Sequence, residues 1–163
     1  MATLCKGGVK LRAQIDQRWP KRDRASDGWL GDSKHAARTS DHNPNAQGIV
    51  RAIDIDENMG SGKNRQGKTA KKLADQIVQY AASTAPGAKR VKYVVYEHEI
   101  ASGTYVKTWW QWRRDKEYGH TQHIHVSFTA SADRDGTVWP LPILTKNPAK
   151  KLAYRRLISK RRR

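Results

Sequence analysis

Histidine and aspartate residues stand at three places in this chain where a metal ion or a proton transfer could use them. His42 lies in the segment SDHNP, Asp54 lies in IVRAIDID, and His120, His123 and His125 lie within HTQHIHVSF. The last segment holds three of the six histidines of the chain within six residues. Imidazole nitrogens and carboxylate oxygens are common ligands of catalytic zinc, which keeps one position open for water or substrate. The set therefore predicts a metal site, with a surface or incidental metal binder as the alternative.

Asp54 and His42 each have a simpler explanation as well. Asp54 falls within an otherwise apolar predicted strand, where an unpaired carboxylate is costly. A metal ion would satisfy that carboxylate, and so would a salt bridge to one of the many arginines. His42 has Asn43 and Pro44 beside it, which restrict the backbone, and a turn cap is its alternative role. The three places together support a metal site more strongly than any one of them does alone.

The histidine run predicts a strand over residues 121–128. In a strand, side chains two positions apart point to the same face, about 7 Å apart. His123 and His125 therefore share a face with Thr121, opposite Ile124 and Val126. Either histidine can ligate a metal while the other contacts substrate.

The elements that must position these residues follow from hydrophobic periodicity and breakers. We predict helices over residues 8–18 and 69–83, and the first has Val9, Leu11 and Ile15 as its apolar side. We predict strands over residues 49–56, 91–96, 104–112 and 121–128. Residues 19–48 are expected to form a long ordered loop, and residues 57–68 an exposed connection. This order favours an α+β fold, with helices packed on a small, mostly antiparallel sheet.

Composition limits the classes of function. The chain has 163 residues and a net charge of +17, so one basic domain is expected, with polyanionic partners. The single cysteine, Cys5, cannot form an intrachain disulfide. No apolar run reaches the roughly 20 residues that a membrane-spanning helix needs. Residues 146–163 are rich in Lys and Arg without an acidic residue, which predicts a basic C-terminal tail after a domain over residues 1–145.

Over residues 28–129 the sequence resembles the LAS-type, or M15, peptidoglycan peptidases, and especially the endolysin domains of actinobacterial phages. The motifs that carry the resemblance are Ser-x-His ending at His42, then Gly48, then Asp54, then His-x-His ending at His125. The resemblance implies a LAS/hedgehog-like peptidase domain with one zinc ion held by His42, Asp54 and His125. It also implies a water, activated by the zinc, that attacks a peptide bond. The spacing of twelve residues from His42 to Asp54 is longer than is common in that family.

The resemblance further suggests which residues perform the chemistry. His120 occupies a place where many members have an acidic residue, and it is our candidate general base. His123 is a candidate for stabilising the oxyanion or orienting the substrate, and Arg38 for binding a substrate carboxylate. Asp32 and His35 are candidates for supporting the ligands. We expect the tryptophans Trp109, Trp110 and Trp112 to pack in the core or to form the wall of a substrate groove.

The expected partners are peptidoglycan stem peptides and, through the basic tail, anionic polymers of the cell envelope. The N-terminus lacks the apolar segment of a secretory signal, so we expect synthesis in a host cytoplasm and action at the cell wall, as an endolysin or from a phage virion. L-Ala–D-Glu, D-Ala–D-Ala and cross-bridge bonds all stay open as the bond that is cut. An HNH-like nuclease and a non-catalytic nucleic-acid-binding phage protein are the alternatives, because DHNP has a passing likeness to the HNH motif and the charge suits nucleic acid.

Overall fold

A five-stranded antiparallel sheet forms the centre of the fold. The computed structural model describes residues 1–33, 37–60, 66–104, 106–114 and 119–160. Its elements are β1 (Thr3–Leu4), α1 (Lys6–Arg18), β2 (Ile49–Val50), β3 (Ala52–Asp56), α2 (Gln66–Ala81), β4 (Val91–Tyr96), β5 (Glu99–Ser102), β6 (Arg113–Arg114), β7 (His123–Phe128) and α3 (Pro148–Ile158). The sheet has the order β3-β7-β4-β5-β6, and every neighbouring pair is antiparallel. The α+β class and the antiparallel sheet are therefore as predicted.

The two faces of the sheet differ in chemistry. Ile53 of β3 is paired with Val126 of β7, and Ile55 with Ile124, and all four are buried in the core. Helices α1 and α2 cover this apolar face with Leu11, Ile15, Leu73 and Ile77 among others. Because side chains alternate along a strand, the residues between them point to the other face, which carries the polar side chains of the candidate site.

Helix α2 shows the clearest link from sequence to packing. Its apolar residues recur every three or four positions, and Leu73, Ile77 and Tyr80 are completely buried. Past its end, Gly87 has a φ of 76°, a conformation that side chains with a Cβ rarely adopt. A Cβ at Gly87 would lie 2.7 Å from the Tyr80 hydroxyl, so the turn after the helix requires glycine.

A buried polar group lies beside this turn. We call it the Arg90 cluster, and it consists of Tyr80, Arg90, Asp135 and Trp139. The Arg90 side chain is 0% exposed. Its guanidinium donates hydrogen bonds to the Gly87 and Thr137 carbonyl oxygens, to Asp135 and to the Tyr80 hydroxyl. It also lies 4.3 Å from the centre of a Trp139 ring, within cation–π distance.

The structure differs from the sequence predictions of elements at four points. No strand runs through the described residues of 104–112, which form turns; Trp110 there has a φ of 50°, which is incompatible with a strand. The predicted strand over 49–56 is divided at Arg51, and its first part, β2, pairs in parallel with β1 instead of joining the large sheet. Helix α2 begins at Gln66, three residues before the predicted start. Val9 of α1 is 47% exposed and does not belong to the core.

The basic C-terminal segment is folded onto the domain over its described residues. Helix α3 begins after Asn147, whose side chain accepts hydrogen bonds from the backbone of Ala149 and Lys150. Ile158 is buried in the core, and the Lys160 carbonyl accepts a hydrogen bond from the Thr84 amide. Within the described residues, no helix is both long and apolar enough to span a bilayer.

Candidate metal centre

Strand pairing places Asp54 directly opposite His125. The register of β3 and β7 matches Ile53 with Val126, Asp54 with His125 and Ile55 with Ile124. The apolar neighbours fix this register, because a shift by one residue would turn the whole apolar set out of the core. Asp54 and His125 therefore meet on the polar face, with Asp54 Oδ1 2.9 Å from His125 Nδ1.

His42 reaches the same point from the long loop. The Gly31 amide donates a hydrogen bond to the His42 carbonyl, and the Ser40 hydroxyl accepts one from the His42 amide. After His42 the chain returns to the sheet through a turn at Gly48, which has a φ of 75°. Asn45 supports this turn, since its side-chain oxygen accepts hydrogen bonds from the amides of Gln47 and Ile49.

The first part of the loop is attached to the edge of the sheet. Gly28 and Asp54 exchange two backbone hydrogen bonds, at 2.7 and 3.2 Å. The buried Arg22 guanidinium binds both oxygens of the Asp27 carboxylate, which also accepts a hydrogen bond from the Asp56 amide. These contacts fix the backbone at Trp29, which lies next to Gly28 and contacts His42.

Ligand atoms of three residues converge within 4.8 Å of one another. His42 Nε2 lies 3.2 Å from His125 Nδ1 and 3.3 Å from Asp54 Oδ2, and His125 Nδ1 lies 2.9 Å from Asp54 Oδ1. Ligands about 2.0–2.1 Å from a zinc ion in tetrahedral geometry are separated by about 3.3–3.4 Å. The three residues therefore form a group that could hold a metal ion.

The outward nitrogens of both rings have hydrogen-bond partners. His42 Nδ1 lies 3.0 Å from the Trp29 carbonyl oxygen, to which it can only donate. His125 Nε2 lies 2.9 Å from the Ser127 hydroxyl. With a hydrogen on His42 Nδ1, a neutral His42 turns its Nε2 lone pair toward the carboxylate, whereas the Ser127 hydroxyl can donate or accept and so allows both tautomers of His125. Metal-binding histidines commonly have such partners on the second nitrogen.

Burial and mutual contact shift the pKa values of the three groups. Burial raises the pKa of Asp54, but hydrogen bonds and charge from His125 and His42 outweigh it, and the pKa lies well below its usual range. Burial lowers the pKa of His42, but the hydrogen bond to Asp54 reverses this, and the net shift is upward. For His125 burial is the stronger effect and the pKa is lowered. A neutral His125 and an ionised Asp54 are the forms that bind metals.

The other two histidines of the run lie beside the three ligand atoms. His123 Nε2 is 3.6 Å from Asp54 Oδ1, and its side chain is 26% exposed. The His120 ring is centred 5.0 Å from that of His123 and 5.3 Å from that of His125. Backbone hydrogen bonds from Glu97 and His98, in the tight turn between β4 and β5, hold Gly119 and His120 in place. The structure thus brings His42, Asp54, His120, His123 and His125 together.

The other candidates are not all placed in the cluster. Arg38 is exposed on the loop, where its carbonyl accepts a hydrogen bond from the Asn43 side chain. Asp32 is also exposed, and His35 lies outside the described residues. Their roles stay predictions.

The tryptophan residues divide between the core and the surface. Trp110 and Trp112 pack against the core, which is the simpler of the two predictions made for them. The Trp112 indole also donates a hydrogen bond to Asp75 of α2. Trp109 is half-buried. Cys5 lies outside the histidine cluster as a buried thiol, and burial raises its pKa to about 11.

Sequence reasoning missed two side chains at the centre. Ser127 is completely buried and contacts His125. Tyr93 of β4 is paired with Ser127 across the sheet and stacks on the His125 ring at 5.4 Å between centroids. Alternation along β7 was a usable signal for Ser127, because residues 123, 125 and 127 share a face. Tyr93 needed the strand register, which the sequence did not provide.

Comparisons with protein-family models, with curated proteins and with solved structures found no match to this chain. The chemistry open to this protein is therefore inferred from the residues of the site. Two neutral imidazoles and one carboxylate, beside two more histidines, can bind a divalent cation and move protons next to it.

Proposed function

We propose that the protein is a zinc-dependent peptidase that hydrolyses peptide bonds of bacterial peptidoglycan. The observation that carries the proposal is the convergence of His42 Nε2, Asp54 and His125 Nδ1 within ligand-to-ligand distance of one another. The sequence resemblance to the LAS-type peptidases supports the choice of zinc and of peptidoglycan. We propose likewise that the chain is a member of that family and has its LAS/hedgehog-like fold.

The three ligand residues suit zinc because of their chemistry. One carboxylate and two imidazoles leave a fourth position open, as in catalytic zinc sites. Bound there, zinc would act as a Lewis acid and lower the pKa of a water from 15.7 to about 7. The Trp29 carbonyl and the Ser127 hydroxyl keep both rings oriented throughout.

The neighbouring histidines perform the proton transfers in this proposal. His120 accepts a proton from the attacking water as the C–O bond forms, and donates it to the leaving amine as the C–N bond breaks. A neutral imidazole suits the first step near pH 7, and the imidazolium that it forms performs the second. His123, partly exposed beside Asp54, donates a hydrogen bond to the oxyanion of the tetrahedral intermediate. Arg38 binds a carboxylate of the stem peptide.

The net charge of +17 supports action on an anionic cell wall. The protein would be made in a host cytoplasm and act as an endolysin or from a virion. Nucleic acid attracts the same charge, and a nuclease is therefore the competing activity to exclude.

The decisive experiment follows the release of new amino groups from purified peptidoglycan. We expect release by the protein as purified, loss of release with a chelator, and recovery when zinc is restored. Mass spectrometry of the products identifies the bond. The same preparations are incubated with plasmid DNA and magnesium. Nicking of DNA without cleavage of peptidoglycan, or cleavage that a chelator leaves unchanged, would contradict the proposal.

A further inference from the structure

A groove with a basic lining lies between α1 and the C-terminal segment. Its volume is about 490 Å³. We call it the basic groove, and we define it by Lys10, Gln17, Arg18, Lys146, Lys150 and Tyr154. Among the residues that the structure describes, no aspartate or glutamate lines it.

Both walls repeat at helical spacing. On α1, Lys10, Gln14 and Gln17 are separated by four and three residues, which places them on one side of the helix. On the opposite wall, Lys146 lies two residues before α3, and Lys150 and Tyr154 of α3 are four residues apart. The groove is therefore formed by two element faces that line one space along its length.

The cations of this groove have no acidic partner among the residues that the structure describes. None of Lys10, Arg18, Lys146 and Lys150 forms a salt bridge there, whereas Lys71, Lys92 and Arg51 elsewhere on the surface do. Arg18 is held at the groove by a hydrogen bond from Nε to the Ile143 carbonyl. Four positive charges around one space attract an anion with several charges more than a single one.

Apolar surface interrupts the charge. Val138 is 50% exposed, and Leu144 and Tyr154 are half-buried in the same lining. A chain in which single phosphates alternate with short carbon units matches this pattern, because the phosphates meet the cations and the carbon units contact the apolar side chains. Three of the four cations are lysines, which bind phosphate as point charges without demanding a planar, bidentate geometry.

We propose that the basic groove binds a polyol-phosphate chain of the bacterial cell wall, such as poly(glycerol phosphate), and so anchors the enzyme next to its substrate. The choice of a wall polymer rests on the proposed function. Nucleic acid fits the lining less well, because single strands bind through successive bases stacked on aromatic side chains, and within the described part of the chain the lining offers one aromatic residue, Tyr154.

Two variants with equal loss of charge test the proposal. The groove variant is K10Q/K146Q/K150Q. The control variant, K151Q/R155Q/R156Q, removes three positive charges from exposed positions of α3 that do not line the groove. Binding is measured by anisotropy with fluorescently labelled poly(glycerol phosphate) at about 0.15 M salt, where charges beyond about 8 Å are screened.

We expect about tenfold weaker binding by the groove variant and a change of less than about threefold by the control variant. An equal loss in both would show that net charge alone acts, and would overturn the proposal. So would tighter binding of a labelled oligonucleotide than of poly(glycerol phosphate), if that binding were lost in the groove variant only. Circular dichroism checks that both variants are folded.

A separate assay distinguishes this proposal from the proposed function. Both variants should cleave a soluble stem-peptide substrate at the wild-type rate, because neither changes the metal centre. A protein that cleaves nothing but binds the polymer through the groove would contradict the peptidase and leave the groove supported. A protein that cleaves the soluble substrate but binds no polymer would contradict the groove proposal and leave the peptidase supported.

Discussion

The metal centre and the Arg90 cluster are both buried polar groups, but they are satisfied in opposite ways. In the Arg90 cluster one guanidinium donates to carbonyl, carboxylate and hydroxyl oxygens, so each of its three nitrogens points at an acceptor. At the metal centre, two imidazole nitrogens point at each other and at a carboxylate, at 2.9 to 3.3 Å. Each imidazole nitrogen can carry either a hydrogen or a lone pair, so these atoms can share protons with the carboxylate or bind one cation together.

This difference separates a structural group from a candidate functional one. Buried polar atoms are normally paired donor with acceptor, and the Arg90 cluster meets that rule within the protein. The metal centre can meet it either with the hydrogens of its imidazoles or with a bound cation. Stability should therefore depend mainly on the first group, and metal binding and activity mainly on the second.

Replacing Asp54 should have the largest effect on function. Asp54→Asn keeps the shape of the side chain but removes the anionic ligand. We expect less than about 0.1 zinc per chain by elemental analysis and at least about a 1000-fold loss of peptidase rate, or about 4 kcal/mol. Asp133→Asn, which removes a carboxylate paired with Arg51, is the control and should keep both the zinc content and the peptidase rate of the wild type. A zinc content in Asp54→Asn equal to that of the wild type would end the metal assignment.

Replacing Arg90 should have the largest effect on stability. Arg90→Met removes one donor each from Asp135, from the Gly87 and Thr137 carbonyl oxygens and from the Tyr80 hydroxyl, so the free energy of unfolding should fall by about 3–5 kcal/mol. Urea denaturation measures this. Zinc bound per folded chain should be unchanged, and Arg90→Lys, which keeps the charge, gives a milder variant if the first does not fold. An undiminished stability would mean that the cluster is not the structural group we describe.

Zinc itself should stabilise the protein by an intermediate amount. At a free concentration of about 100 times the dissociation constant, a ligand that binds only the folded state adds about 2.7 kcal/mol. For a chain of this size we expect Tm to rise by about 5–10 °C, in the wild type and in Arg90→Lys. Asp54→Asn should show no rise. A similar rise in Asp54→Asn would place the stabilising ion at another site.

Two buried serines allow the sharpest comparison. Ser127→Ala removes the partner of His125 Nε2 and should weaken zinc binding about 10- to 100-fold, because that contact orients the ring. Ser83→Ala removes a hydroxyl that bonds the Tyr80 carbonyl and should cost about 1 kcal/mol of stability without changing zinc affinity. Competition with a chromogenic chelator measures the affinities. Equal effects of both changes on zinc would remove the distinction between the two clusters.

Most of the fold was predictable where local pattern decides it. The apolar spacing of α2 and the alternation of β7 follow from side-chain geometry within one element. Failures occurred where distant contacts decide. The segment around Trp110 has the composition of a strand, but its backbone turns and the Trp110 amide bonds the Ser102 carbonyl. Val9 fits an apolar stripe, yet the helix packs on Leu11 and Ile15 instead.

The sequence by itself determined the types of the ligands and their faces. An aspartate between Ile53 and Ile55, and histidines alternating with Ile124 and Val126, must point away from the core. Only the tertiary structure decided that these residues meet. The register of β3 and β7 sets Asp54 opposite His125, and the loop attached through Gly28 and Arg22 brings His42 to them. Such contacts join residues up to 83 positions apart, and side-chain periodicity carries no information over that range.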